Sequence, residues 1–315
     1  MGGLRLLITG ANGFLGRACV AAALARGHSV RALTRSTVAF ADGVEAVQGD
    51  LAEGCDAAWL EGIDAVLHTA ASVSNRPDAL ARDTEAASAR LFAAVAQAQG
   101  PAQGLAQGPA DARLRVVLAS SIVVYDADAQ GAICEDTPLE TRPQRREAYV
   151  GAKLAQEAAL RACGGQGWCL RLGAIYDSTR RWNAHIGLKR GAWLISLGRA
   201  GDVPLIHLSD AAEAMIRAAE TAPNGQCEAL NIVENPLPSR ATFVAMAHRG
   251  PNFRLHWRLL LPLAWLCEAL LGARAPGLLR PRILRARLQA HSYSNARAVA
   301  RLGWHPAQRF CGAGL

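Results

Sequence analysis

The sequence is short of aromatic residues: phenylalanine, tryptophan and tyrosine make up only 5% of 315 positions. It also lacks any CxxC pair, its eight cysteines being scattered at 19, 55, 134, 163, 169, 227, 267 and 311. That pattern excludes a disulfide framework and a zinc ribbon, and reads as reduced thiols with no metal site. No long unbroken apolar run is present. The longest, Leu255 to Leu271, contains His256, Arg258, Pro262 and Glu268, which makes it a poor transmembrane span. No signal peptide stands ahead of the first apolar stretch, so a cytoplasmic location is expected. The net charge of +8 is mild for this length. Much of the excess falls late, at Arg274, Arg280, Arg282, Arg285 and Arg287, among prolines and leucines. A nucleic-acid surface would interleave such cations with aromatics, so no nucleic-acid partner is expected. An anionic ligand, membrane headgroups or a solvated helix face fits the pattern better.

What is present begins at Leu4 to Gly16, LRLLITGANGFLG. A short apolar run stops at Thr9, glycines follow at 10, 13 and 16, and an alanine-rich helical pattern starts near Phe14. This reads as strand, tight turn and helix, with the helix running to about Arg26. Such a turn holds a diphosphate on the backbone N–H groups of the helix N-terminus, where the dipole favours negative charge. The glycines make the turn, let the backbone approach the phosphates, and pack helix against strand.

A second strand is expected at Ser29–Thr34. In a dinucleotide-binding fold its end meets the adenosine ribose, where a carboxylate selects NAD. The sequence there is Thr34-Arg35-Ser36, with no nearby acid. A guanidinium fits a 2′-phosphate bidentately, so Arg35 predicts NADP(H) as the preferred cofactor, with NAD(H) possible. A third strand, Glu45–Gln48, leads into Gly49-Asp50-Leu51, where Asp50 is placed to accept the adenine amino group. A fourth, Ala65–Leu67, leads into His68-Thr69-Ala70-Ala71, whose small residues let a cofactor cross the sheet edge. His68, ending a buried strand, reads as structural. An alanine-rich helix is expected over 85–99. The segment 97–111, QAQGPAQGLAQGPAD, is low in complexity and reads as a flexible surface loop.

The fifth strand, Leu114–Ala119, ends in Ser120-Ser121, and Tyr149-Val150-Gly151-Ala152-Lys153 opens a later helix. Residues four apart lie on one helix face. An ammonium beside a phenol favours the phenolate and lowers its pKa. Such a tyrosine exchanges a proton with an alcohol or carbonyl near neutral pH. Ser121 is placed to hold the same oxygen.

Taken together, these segments resemble the extended short-chain dehydrogenases/reductases, the superfamily of NAD(P)-dependent epimerases, dehydratases and reductases. TGANGFLG at 9–16, GDL at 49–51, HTAA at 68–71, SSIVVY at 120–125, YVGAK at 149–153, RLGAIYD at 171–177, HLSDAAEAM at 207–215 and ARLGWHP at 300–306 match its motifs in order. The resemblance implies an α/β fold: a Rossmann doubly wound parallel sheet with a smaller, discontinuous C-terminal substrate lobe. The dinucleotide-binding part would span 1–177 and about 203–224, and the lobe about 178–202 and 225–315. It implies Tyr149 as acid/base, Lys153 as its pKa-lowering partner and ribose ligand, and Ser121 as substrate-oxygen donor, Ser120 being structural. The cofactor would lie on Gly10, Asn12, Gly13, Phe14, Leu15, Gly16, Arg35, Asp50, Leu51, Thr69, Ala70, Ala71, Tyr149, Lys153 and Leu172.

Departures from the superfamily's patterns narrow the reading. Ser121-Ile122-Val123 stands where a 4,6-dehydratase carries T-D-E, so there is no Asp–Glu pair to eliminate water. Ala174 replaces an asparagine frequent in sugar-nucleotide epimerases, and no PGD sequence accompanies the late arginines. These features resemble the 3β-hydroxysteroid dehydrogenase and dihydroflavonol reductase branch. The expectation is therefore hydride transfer to or from a carbonyl or alcohol of a bulky apolar small molecule. Leu259, Leu263, Leu266 and Leu270 recur at helical spacing, as a core-packing helix or a pocket wall near Trp265. The alternatives are a nucleotide-sugar epimerase or 4-keto-sugar reductase, to which Arg180 and Arg181 could offer a phosphate site, and a non-catalytic cofactor sensor. A weak membrane-surface contact through 255–287 and a homodimer complete the expected partners.

Overall fold

Seven short apolar segments pair into one parallel sheet in a computed structural model, which describes residues 2–72, 74, 76–99, 114–180 and 187–310. In chain order its strands are β1 (Arg5–Thr9), β2 (Ser29–Thr34), β3 (Val44–Gln48), β4 (Ala65–His68) and β5 (Arg115–Ser121). After β6 (Gly131–Ile133), which lies elsewhere, come β7 (Gly167–Leu172) and, after β8 (Ala174–Tyr176), β9 (Gly187–Arg190), β10 (Trp193–Leu197) and β11 (Leu205–His207), the last sheet strand, β12 (Cys227–Ile232). The spatial order is β12-β7-β5-β4-β1-β2-β3. Every neighbouring pair is parallel.

A parallel sheet is covered on both faces, so its central strands read as continuous apolar runs. Leu6, Leu7 and Ile8 are all fully buried, alternating between the two sides. One face packs on α1 (Phe14–Ala25), α5 (Leu208–Glu220) and α9 (Ala296–Leu302) through Cys19, Val20, Met215, Leu302 and Trp304. The other packs on α3 (Ala87–Ala98) and α4 (Ala148–Ala162) through Leu91, Phe92, Val95 and Leu160. The short helix α2 (Pro77–Leu80) runs into α3 through a π-helical stretch, Ala81–Ala86. The result is a doubly wound α/β sheet of Rossmann type whose strand order reverses between β1 and β4. The carboxyl ends of strands at such a switch point are where ligands bind.

Two segments assigned to the substrate lobe from sequence belong instead to this sheet unit. β12 is its outermost strand, and Trp304 of ARLGWHP is fully buried in its core. The Trp304 indole N–H donates to Asp210 O at 3.1 Å, and the Asp210 carboxylate accepts from Gln308 N at 2.8 Å. HLSD and LGWHP thus tie a distant segment to α5 by hydrogen bonds that spacing alone did not disclose.

A separate three-stranded sheet joins β10 to β9 and to β13 (Asn252–Leu255). Around it lie α6 (Arg240–Ala247), α7 (Leu261–Leu271) and α8 (Pro281–Leu288), and β14 (His291–Tyr293) pairs with β6. Arg282 on α8 is buried and straps this region to the 126–140 loop: it reaches Glu140 at 2.6 Å, Asp128 at 2.7 Å and Asp126 at 2.9 Å. Most of the glycine-rich 97–111 segment, with Arg181 and Trp182, lies outside the described residues. Among the described residues no helix is long and apolar enough to cross a membrane.

Candidate active site

At the carboxyl end of β1, Gly10 has φ +66°, and a Cβ there would sit 2.8 Å from the Ala70 backbone. Only glycine allows β1 and the β4 loop to approach so closely. A Cβ on Gly16 would lie 2.1 Å from Gly10 O, so Gly16 packs the helix on the turn. α1 starts at Phe14 behind Gly13, an N-cap without a side-chain acceptor. The first N–H groups of α1 therefore face outward without a cap, ready for an anion. Arg180 stacks on the Phe14 ring at 4.3 Å, beside this turn.

A groove of about 480 Å³ runs past this turn. Of the cofactor residues expected from sequence, Gly10, Asn12, Gly13, Arg35, Asp50, Leu51, Thr69, Ala70 and Ala71 line it. Phe14 and Leu15 stand in the first turn of α1. Gly16 and Lys153 likewise line neither this groove nor the cavity beside Tyr149, and neither does Leu172, which is buried in the core because the last side chain of β7 points into the α1–α5 layer. Sequence reasoning missed Asp83, which the π-helical stretch turns into the groove, 3.5 Å from the Arg35 guanidinium. Asp50 accepts from Ala52 N and from Arg82, each at 2.9 Å. This glycine cradle, uncapped helix and open groove fit a dinucleotide.

Ser121 ends β5 and caps the next turn, and its hydroxyl hydrogen-bonds Tyr149 in the first turn of α4. One turn on, Lys153 is buried. Its Nζ donates to Ala119 O at 2.8 Å and Gln156 Oε1 at 2.9 Å, and lies 5.6 Å from the Tyr149 ring centre. The three residues expected to do the chemistry are thus brought together. Their electrostatics differ from expectation. Burial pushes the Tyr149 phenol up to about 12, against the pull of Ser121. Burial also brings the Lys153 ammonium down to about 8, with Glu157 opposing. Burial dominates both groups, so among the protein groups alone Tyr149 is the phenol at neutral pH.

Behind Lys153 runs a buried chain that the sequence did not disclose. Gln156 Nε2 donates to Ser88 Oγ at 2.7 Å, His68 Nε2 lies 2.9 Å from the same oxygen, and His68 Nδ1 lies 2.7 Å from Thr9 Oγ1. Every partner is satisfied if Thr9 donates to Nδ1 and Nε2–H donates to Ser88, an assignment made from the network. Burial, aided by Lys153, pushes His68 down to about 3, so it stays neutral as a structural group. Ser120, as expected, is structural: its hydroxyl donates to buried Glu157 at 2.6 Å, which also pairs with Arg171 at 2.9 Å.

Tyr149 opens into a second cavity of about 310 Å³. Its wall includes Arg146, Glu147, Asp202, Arg240, Arg287 and His291. Glu147 holds Arg287 at 2.6 Å and Arg146 at 3.4 Å. Arg240 and Asp202 make no ion pair among the described residues. Arg240 is 4% exposed, gives two hydrogen bonds to the carbonyls of Leu288 (2.8 Å) and Arg287 (3.1 Å), and leaves Nε without a partner. Burial raises the Asp202 carboxyl. No residue of 255–271 lines this cavity. Of the two readings of this stretch, the pocket wall is not found at this cavity: Leu263 and Trp265 are exposed, and α7 packs inward through Ala264 and the half-buried Leu261.

The profile of the NAD dependent epimerase/dehydratase family matches residues 6–232. No curated protein sequence matches the chain. Several solved structures share its fold. MoeE5 in complex with UDP-glucuronic acid and NAD aligns at TM-score 0.69 and 21% identity, covering 96% of this chain and 94% of that one. The UDP-glucuronic acid 4-epimerase from Bacillus cereus aligns at 0.67 and 17%, covering 97% and 95%. The UDP-N-acetylglucosamine 4-epimerase from the same organism aligns at 0.64 and 19%, covering 98% and 96%. The family profile spans the glycine turn, the groove and the Ser–Tyr–Lys cluster, and the chain belongs to the NAD dependent epimerase/dehydratase family.

Proposed function

We propose that the protein is a nucleotide-sugar epimerase. The observation that carries this reading is Arg240, buried in the wall of the cavity beside Tyr149 and in no ion pair among the described residues, Asp202 on the same wall included. A buried cation without an anionic partner is costly, and a diphosphate would relieve that cost through charge-assisted hydrogen bonds. Steroid- or polyketide-like substrates, favoured by the sequence motifs, offer such a wall no anion. That the structural neighbours include UDP-sugar epimerases supports the same choice.

The residues divide the work as follows. Ser121 and Tyr149 hold one sugar oxygen between them. Oxidation of that carbon needs Tyr149 as the phenolate to take the hydroxyl proton, so the positive charge of a bound oxidised cofactor would have to bring the raised pKa down; on reduction the phenol returns the proton. Lys153, fixed by Ala119 and Gln156, keeps a donor under the Tyr149 ring. Asp202 accepts from sugar hydroxyls and Arg240 binds the diphosphate. A dinucleotide held by the glycine turn and the groove would supply the hydride acceptor and donor for that carbon.

For the cofactor itself, Arg35 at the rim of the groove and the absence of an acid in 34–36 support NADP(H), with NAD(H) also used. Asp83 beside it tempers the preference. The deciding experiment incubates enzyme and oxidised cofactor with UDP-, dTDP- and GDP-hexoses and follows the anomeric protons by NMR. Conversion of one nucleotide sugar into its epimer without net change in cofactor absorbance is expected. Net NADPH oxidation by apolar ketones, with every nucleotide sugar unchanged, would overturn the reading.

A further inference from the structure

We propose that the exposed apolar face built by α7 and the open side of the β9–β10–β13 sheet docks onto an anionic membrane surface. Along α7 and the turn before it, Leu259, Leu263, Trp265, Leu266, Leu270 and Leu271 are all exposed, Leu270 reaching 74%. Of the whole helix only Ala264 is buried. The patch continues onto the small sheet. Ile195 stands opposite both Leu188 and Phe253 in register, so these three share one sheet face, and all are exposed. Trp193 stacks on Phe253 with ring centres 5.4 Å apart. Further along the same face Leu197 and Leu255 are covered by Trp257 and Ala264, which joins the sheet patch to α7. Contiguous apolar surface of this kind marks an interaction site.

Charge selects the occupant. Segments 187–199 and 249–281 carry eight basic residues and one acidic residue, Glu268. Glu268 is taken by Arg145 at 2.8 Å. Arg190, Arg258 and Arg274 are exposed and make no ion pair among the described residues. A second copy docked about a two-fold axis would bring this cationic patch against itself. Anionic headgroups complement it, while leucines and tryptophans enter the acyl boundary. At 11 residues α7 is about 16 Å long, too short to span a bilayer and suited to lying in its interface.

The test is flotation of the full chain with vesicles of phosphatidylcholine alone and with vesicles of equal parts phosphatidylcholine and phosphatidylglycerol. Binding to the mixed vesicles only, weakened by added salt, is expected. The double variant Leu266→Glu with Leu270→Glu should bind at least about tenfold more weakly. Arg258→Glu with Arg274→Glu should lose selectivity for the anionic vesicles. Both pairs are exposed and remote from the groove, and retained cofactor binding checks that the variants fold. Absence of binding to the mixed vesicles would overturn the proposal, as would binding indifferent to the leucine changes. So would a dimer in light scattering that the leucine changes dissolve, since the face would then belong to a second copy.

Discussion

The two cavities are made of different material. The groove at the β1–β4 switch is shaped by backbone: Gly10, Gly13, Ala70 and Ala71 form it by having almost no side chain, and they come from two short stretches. The cavity beside Tyr149 is shaped by side chains, charged ones such as Glu147, Arg240 and Arg287 set among apolar ones such as Ile122, Ile133 and Val150. They come from 122–150, 202–204, 240 and 286–293, and some are held by ion pairs across more than a hundred residues, such as Arg287 with Glu147. A site built from absence of side chain tolerates little change in chemistry and advertises itself as a motif. A site built from paired charges is retuned by single substitutions and leaves no local signature.

Substitutions should break the contrast in a definite order. The largest effect falls at the proton-handling residue of the second cavity. Tyr149→Phe should lower kcat by about 10²–10⁴-fold while leaving cofactor affinity within about twofold, read by turnover and by fluorescence titration. Next come substitutions of the backbone-built site. Gly16→Val would force a Cβ into the Gly10 carbonyl, so cofactor binding should be lost and thermal stability should fall by several kcal/mol.

The supporting chain beneath Lys153 gives a pH signature. The unfolded His68 titrates near 6.5 and the folded one near 3, so below pH 6.5 the unfolded chain binds the extra proton. Stability from this group is complete above that value and falls with acidification, by about 2 kcal/mol between pH 7 and pH 5. Denaturant melts of wild type and His68→Asn should show the pH slope reduced in the variant. The smallest effect is expected at the groove's exposed rim. Arg35 is 66% exposed, and Arg35→Ala should cost NADPH about tenfold in affinity, with NADH nearly unchanged. Equal wild-type affinity for the two cofactors would remove the NADP(H) preference.

The contrast also explains what was legible in the sequence. The fold was readable because the apolar runs at Leu6–Ile8 and Ala65–Leu67 and the glycines at 10, 13 and 16 act over a few residues. Ser121, Tyr149 and Lys153 were readable as a set because strand end and helix start fix their separation. The substrate side was misjudged from the same data. Leu259, Leu263, Leu266 and Leu270 have helical periodicity, yet periodicity does not say whether a face meets a pocket, a core or solvent, and here most of α7 faces outward. Arg240 had no signal at all. Its meaning depends on burial without a carboxylate, a property of three dimensions. Gln156 and His68 were hidden likewise, since their partners Ser88 and Thr9 are 68 and 59 residues away.

Arg240 is where the account is most exposed. Isothermal titration of the cofactor-loaded enzyme with UDP, in wild type, Arg240→Lys and Arg240→Met, tests it directly. The account predicts that wild type binds UDP, that the lysine variant keeps part of the affinity, and that the methionine variant loses about 10–100-fold with its cofactor affinity intact. Equal UDP affinity in all three folded proteins, or none in wild type, would contradict a diphosphate site beside Tyr149.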